Sequence, residues 1–235
     1  WTLVKFAECA RKQGLPAVSL ANISRIPDMQ HVDAAAKKRE EVLARLDSGT
    51  PTDLSMALNL INKTNIEYFG PPQKAEILRL KGELLSRTPD GRVPGQTKID
   101  EAHQALSTAL GTCDSHGKGW VSWGNLWDQL LQAKKEKGGT SAADIQQRNQ
   151  YVEYVINCYL QGAKHGCDRA RFKLAKVLWL VEQYEDQPTP GAEFDKNVDS
   201  VPSWNWIAWI PALLGALSRP SQAARARKLL SKLAA

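Results

Sequence analysis

Apolar residues recur along most of the chain at intervals of three and four, which is the spacing of one face of an α-helix. Almost no stretch alternates with the period of two that a half-buried strand requires. The pattern therefore predicts an all-α fold with no sheet. Because the helical stripes come in pairs separated by turn residues, it favours an α-solenoid of antiparallel helical hairpins over a bundle.

Proline, glycine and capping residues divide the pattern into separate helices. The stretch from Gln187 to Pro202 is acidic and contains prolines, and we expect it to be partly irregular. The predicted helical stretches cover residues 3–10, 17–26, 32–46, 53–62, 71–87, 99–110, 120–135, 144–164, 168–185, 203–217 and 221–233.

The chain divides into two predicted parts. Residues 1–112 are expected to form TPR-like hairpins, in which Gly82 and Ala102 take the places of that repeat's small residues. Residues 117–235 are expected to form tryptophan-rich helical hairpins. A loop near residues 88–96, rich in proline and glycine, is predicted to be an insertion. The start at Trp1 and the end inside a helical pattern predict a segment of a much larger chain.

The net charge of +6 raises the possibility of a nucleic-acid partner, but its distribution qualifies that inference. The last seventeen residues carry five basic side chains and no acidic one, and the rest of the chain is nearly neutral. The five are Arg219, Arg225, Arg227, Lys228 and Lys232. No apolar run is long enough to predict a membrane span.

The sequence contains no constellation that predicts catalysis. It lacks a phosphate-binding glycine loop, a nucleophile elbow and the motifs of a kinase or a zinc protease. The histidines are expected at helix ends or on polar faces, and the four cysteines lack the spacing of a zinc site or a disulfide framework. We therefore predict no catalytic, cofactor-binding or metal-binding residue.

Tryptophan usage is the most unusual feature of the chain. Trp120, Trp123 and Trp127 fall on one helical face, and Trp206 and Trp209 are again three residues apart. Such a set suits either stacking platforms for bases or large side chains that fill the space between hairpins. Because aliphatic residues adjoin them, we favour packing and predict that Trp123 and Trp209 are largely buried.

Four segments of the chain resemble, in order, the C-terminal part of the FAT domain of the TRRAP family. They are KGWVSWGNLW at 118–127, CYLQGAKH at 158–165, LAKVLWL at 174–180 and WIAWIPALL at 206–214. Two upstream runs, ARKQGL at 10–15 and NIEYF at 65–69, also resemble that family. The predicted loop at 88–96 departs from the family pattern and leaves its own role open.

The resemblance implies a TPR-like and HEAT-like helical array around a kinase-like domain that has lost catalysis. It implies a nuclear scaffold whose partners are the other subunits of SAGA-type and NuA4/TIP60-type acetyltransferase complexes, transcriptional activators and the chain's own kinase-like domain. Three alternatives stay open: the FAT domain of an active kinase of the same superfamily, a nucleic-acid-binding solenoid, and an enzyme, for which no catalytic residues can be nominated.

The basic end has two interpretations in this setting. A packed helix with solvated charges is the simpler one and is favoured. The alternative is a polyanion contact through Arg225, Arg227 and Lys228, since the resemblance implies that FAT architectures hold inositol hexakisphosphate and work on chromatin. No cofactor is predicted for this segment itself.

Overall fold

The protein is described by a computed structural model that covers residues 2–27, 32–87 and 98–234. Across these residues the regular structure is wholly helical, so the all-α prediction is confirmed. The helices are α1 (Thr2–Lys12), α2 (Pro16–Ile23), α3 (Val32–Ser48), α4 (Pro51–Lys63), α5 (Pro71–Arg87), α6 (Lys98–Thr112), α7 (Gly117–Glu136), α8 (Ala142–Lys164), α9 (Asp168–Gln183), α10 (Pro188–Val198), a 3-10 helix (Ser203–Trp209), α11 (Ile210–Ala216) and α12 (Pro220–Ala234). The predicted insertion near 88–96 lies outside the described residues.

The chain forms two compact units, Trp1–Asp114 and Ser115–Ala235. In the first unit, sequence neighbours pair as α1 with α2, α3 with α4 and α5 with α6. A core cluster lies among α3, α4 and α5 and includes Val42, Leu54, Leu80 and Leu84, each at most 5% exposed. Burial of these aliphatic side chains stabilises the packed hairpins, because apolar surface leaves water.

Close contact between α5 and α6 depends on a small residue. A Cβ added to Gly82 would lie 2.5 Å from Leu106 Cγ and 3.1 Å from the backbone oxygen of Ala102. Any side chain at position 82 would therefore push the two helices apart.

The first unit also contains a buried ion pair. Arg79, 4% exposed, donates hydrogen bonds to the Glu76 carboxylate from both Nε and Nη2, at 2.8 and 3.0 Å.

The second unit is built around α8. Its core cluster contains Tyr159, Leu160, Leu174 and Leu180, each 0% exposed, and extends to Trp206 at 1%. The helices α7 and α8 approach closely where Gly124 faces the ring of Tyr159, whose hydroxyl donates to Asn125 Oδ1 at 2.9 Å. Continuous apolar contacts from α8 to α12 thus place the whole unit around one core.

The structure confirms one prediction near the C-terminus and corrects another. The stretch from Gln187 to Pro202 is partly irregular, since residues 199–202 lie outside regular structure. The part before them forms α10, because Pro188 lies in its first turn, where the missing N–H costs nothing. The single helix predicted over 203–217 is instead a 3-10 helix followed by α11. Pro211 has no N–H to donate to Ile207, whose carbonyl accepts from Ile210 in a tighter turn.

The apolar stripe of α1 is only half buried. Ala7 and Ala10 are 0% and 8% exposed, whereas Leu3 and Phe6 are 42% and 55% exposed. Helical spacing identifies which residues share a face, but the width of the covered strip depends on the neighbouring helix.

Candidate interaction surfaces

The basic C-terminal helix lies against the acidic segment that precedes it. Arg225 of α12 binds the Asp195 carboxylate of α10 bidentately, with Nε to Oδ1 at 2.9 Å and Nη2 to Oδ2 at 2.8 Å. Gly191 makes room for this arginine, since a Cβ there would lie 2.5 Å from Nη2. The hydrogen bonds that Arg225 donates to Asp195 raise the pKa of the arginine above its ordinary value.

Two lysines of α12 share a second carboxylate. Lys228 and Lys232 bind the two oxygens of Asp199 at 2.7 and 2.5 Å, and these hydrogen bonds lower the pKa of Asp199. Arg219 pairs with Glu182 of α9 at the start of the same helix. The concentration of positive charge seen in the sequence is therefore matched by acidic residues 29 to 37 positions away.

The three residues predicted as a polyanion contact are in different situations. Arg225 and Lys228 are engaged in separate ion pairs with Asp195 and Asp199. Arg227 is exposed and makes no ion pair within the described part of the chain. A polyanion at this helix would have to compete with the two resident carboxylates for two of its three proposed contacts.

The tryptophans of α7 form a row of ring contacts. Trp120 and Trp123 are 5.9 Å apart between centroids, Trp123 and Trp127 are 6.4 Å apart, and Trp127 continues to Tyr151 and Tyr154 of α8 at 5.5 and 4.7 Å. The rings are tilted rather than stacked face to face, as is common for packed aromatic pairs. Four of these rings are half-buried and Tyr154 is at the margin of exposure.

The packing interpretation of the tryptophans holds in part. Trp123 and Trp209 are half-buried, so neither is as enclosed as predicted, and neither is fully exposed. Trp209 Nε1 donates to the backbone oxygen of Arg171 at 3.0 Å, which fixes the 3-10 helix to α9. Among the described tryptophans the fully buried ring is Trp206, which meets Phe194 edge-on at 6.1 Å, whereas Trp204 is 45% exposed.

Histidines and cysteines take structural positions in the second unit. His116 caps α7, with Nδ1 accepting from the Gly119 N–H at 3.0 Å, and His165 lies at the C-terminal end of α8. Cys158 is buried, which raises the pKa of its thiol and disfavours the reactive thiolate. Within the described residues no three side chains of histidine, cysteine, aspartate or glutamate group as a metal site would require.

The helices of the described residues include none that is both long enough and apolar enough to cross a bilayer.

A groove in the second unit was missed at the sequence level. It is an open groove of about 600 Å³ between the first half of α8 and the start of α10, and its polar lining includes Gln146, Asn149, Gln150, Glu153 and Gln187. The four α8 residues fall at helical spacing on one face. That spacing was visible in the sequence, but a polar stripe ordinarily indicates a solvated face, and only the position of α10 turns it into a groove.

Comparison with known proteins gives a consistent result. The FAT domain family model matches residues 1–179. The SAGA complex/NuA4 acetyltransferase complex subunit Tra1 of Schizosaccharomyces pombe is 33% identical over 93% of the chain, and the transformation/transcription domain-associated protein of Homo sapiens is 32% identical over 92%. The DNA-dependent protein kinase catalytic subunit of Mus musculus is 23% identical over 53%. The chain spans 6%, 5% and 3% of these proteins, respectively.

Proposed function

The chain belongs to the FAT domain family, and we propose that it is a non-catalytic scaffold segment of a transcription co-activator subunit similar to Tra1. The observation that carries the proposal is the similarity to Tra1 over nearly the whole chain, since that protein is named as a subunit of the SAGA and NuA4 complexes. A segment of this kind acts by holding surfaces in place, as arrays of helical hairpins do.

The charged groups of the chain support a structural role. Arg11, Arg79 and Arg225 each donate hydrogen bonds to carboxylates of the chain itself. Desolvation lowers the pKa of Arg11, but its hydrogen bonds to Glu40 and Asp47 outweigh that effect and raise the pKa. The hydrogen bonds to Asp195 raise the pKa of Arg225, against a smaller effect of desolvation. Catalytic groups require a proton that moves near the working pH, and guanidinium groups locked in ion pairs do not provide one.

The active-kinase alternative has weaker support. The DNA-dependent protein kinase catalytic subunit of Mus musculus matches about half of the chain at 23% identity. Tra1 of Schizosaccharomyces pombe and the human transformation/transcription domain-associated protein match more than nine-tenths of it, at 33% and 32%. We therefore assign the segment to the co-activator branch, with a kinase-like domain that lacks catalysis elsewhere in the longer protein.

The partners follow from this assignment. We propose that the segment supports contacts with other subunits of SAGA-type and NuA4/TIP60-type complexes, with transcriptional activators and with the protein's own kinase-like domain, in the nucleus. We assign no cofactor to the segment, and place any inositol hexakisphosphate of the longer protein elsewhere in its FAT and kinase-like region.

The nucleic-acid and polyanion alternative is testable at the basic helix. Because Arg225 and Lys228 are held by Asp195 and Asp199, we expect the chain not to bind inositol hexakisphosphate or DNA at low salt. Binding that disappears on simultaneous charge reversal of Arg225, Arg227 and Lys228, while the helical circular dichroism signal is retained, would establish the polyanion site.

The experiment that tests the proposed function is purification of the full-length protein from the organism that carries it. Mass spectrometry of the purified material should identify acetyltransferase complex subunits in amounts comparable to the protein itself. Purified material that phosphorylates protein substrates and lacks those subunits would support the active-kinase alternative instead.

A further inference from the structure

We propose that the groove between α8 and α10 binds an extended, non-acidic peptide segment of a partner through hydrogen bonds between side-chain amides and the peptide backbone. The inference depends on the geometry of the groove alone. Its failure would therefore leave the co-activator proposal unchanged.

The groove forms because two parallel helices, α8 and α10, begin at different levels. Asn149 of α8 donates to Gln187 at the start of α10, and Gln161 donates to Asn197 near its end, at 3.0 and 3.1 Å. The paired positions increase together, so the two helices run in the same direction. Because α10 begins level with Asn149, the first two turns of α8 extend past it and remain uncovered on this side.

The groove lining of α8 presents a row of carboxamides. Gln146 lies on the uncovered turns, whereas Asn149, Gln150 and Glu153 continue the row level with the start of α10. A carboxamide carries an acceptor and two donors, which matches the N–H and C=O of one peptide unit. Gln146 and Gln150 are exposed, so forming new bonds does not require opening a packed core.

Hydrogen-bonding capacity remains in the row after the bonds within the chain are counted. Gln150 Nε2 donates to the Tyr154 hydroxyl at 2.8 Å, which leaves its amide oxygen as an acceptor. Asn149 Nδ2 donates to Gln187 Oε1 at 3.0 Å, which leaves the other amide atom of each residue available. Gln146 makes no side-chain hydrogen bond within the described residues, so both of its functions are open.

The dimensions suit an extended segment. The lining of α8 runs from Ala142 to Glu153, which is about 16 Å along the helix axis at 1.5 Å per residue. An extended peptide covers that length with about five residues. A compact small molecule is less well matched, because such ligands are usually enclosed on most sides, whereas Gln146, Gln150, Pro188 and Thr189 of this groove are exposed to solvent.

The charge and polarity of the lining restrict the partner. Glu153 is the one charged residue among those that line the groove, so a lysine or arginine of the bound segment is favoured and an acidic segment is disfavoured. An amphipathic helix would need several apolar anchors along the groove. Ile145, 41% exposed, is the one large aliphatic side chain in the lining.

The experiment uses a phage library of random linear heptapeptides selected on the 235-residue chain. The selected pool is depleted on the double variant Gln146→Ala/Gln150→Ala, which removes two carboxamides at exposed positions and raises helix propensity. Enriched peptides are then synthesised and their dissociation constants measured by fluorescence anisotropy. The matched control is Gln129→Ala, which removes an exposed carboxamide of α7 outside the groove.

We expect enriched peptides to contain lysine or arginine and to show no helical periodicity. Their affinity should fall at least about tenfold in the double variant, the equivalent of one lost hydrogen-bonded contact, and should be unchanged by Gln129→Ala. Glu153→Gln should weaken basic peptides and leave their lysine-to-alanine derivatives unaffected. The proposal is overturned if no peptide survives depletion, if the survivors are acidic, or if they are amphipathic helices.

Discussion

Replacing Trp206 by alanine is the substitution most sensitive to how the second unit is built. The ring is 1% exposed and meets Phe194 edge-on at 6.1 Å, so its removal leaves a cavity in the core. Such truncations cost about 3 to 5 kcal/mol. The indole N–H has no hydrogen-bond partner among the described residues. Removing a buried unsatisfied donor offsets about 1 kcal/mol of that cost, so we expect a net loss of about 3 kcal/mol.

Trp204→Ala is the matched control, because that ring lies two residues away and is 45% exposed. We expect it to cost about 1 kcal/mol or less. Urea unfolding followed by tryptophan fluorescence is a suitable assay, since of the eight tryptophans only Trp1 precedes the second unit. Equal losses of unfolding free energy in Trp206→Ala and Trp204→Ala, with an unchanged dependence of that free energy on urea concentration, would refute the assignment of Trp206 to the core.

Two further predictions concern packing and pH. Gly124→Ala places a Cβ 2.6 Å from the buried ring of Tyr159 and should destabilise the second unit by about 1 to 2 kcal/mol. In the control Gly215→Ala the added Cβ meets no atom within 4 Å, so this change should be neutral or stabilising by up to about 1 kcal/mol. Urea unfolding detected by fluorescence compares the two variants, and a stabilising Gly124→Ala would contradict the close contact. Hydrogen bonds from Lys134 and Ser141 lower the pKa of Asp144 to about 2. The ionised carboxylate therefore stabilises the fold fully when the pH is above the ordinary pKa of aspartate, and this stabilisation is lost as the pH falls towards 2. A carboxylate titration by NMR should show this low pKa and its rise in Lys134→Ala, and an unchanged pKa in that variant would exclude the ion pair.

The helices were largely predictable from sequence because their signals are local. The start of α4 follows from Thr50, whose hydroxyl accepts from the Asp53 N–H at 3.1 Å, and from Pro51 in the first turn. The region around Pro211 was predicted wrongly as one helix. Its periodicity is helical, but a proline without an N–H breaks the ladder, and the resulting 3-10 helix brings Trp209 against α9.

The interaction surfaces were less predictable because they depend on how helices meet. The five basic residues of the C-terminal end suggested a charged surface. Asp195 and Asp199 lie about 30 residues upstream and pair with three of the five only after α10 and α12 pack together. The groove beside Gln146 likewise exists because α10 begins level with Asn149. Neither the pairing nor the relative position of the helices is encoded by spacing within one helix.

The scaffold role is tested most directly by changing the corresponding segment in a relative whose complexes are named. In tagged Tra1 of Schizosaccharomyces pombe, the segment that aligns with this chain at 33% identity over 223 residues is either deleted or replaced by this chain. We predict that deletion separates Tra1 from the other subunits of SAGA and NuA4, and that replacement restores their co-purification. A deletion that leaves both complexes intact at normal Tra1 levels would contradict the proposed function.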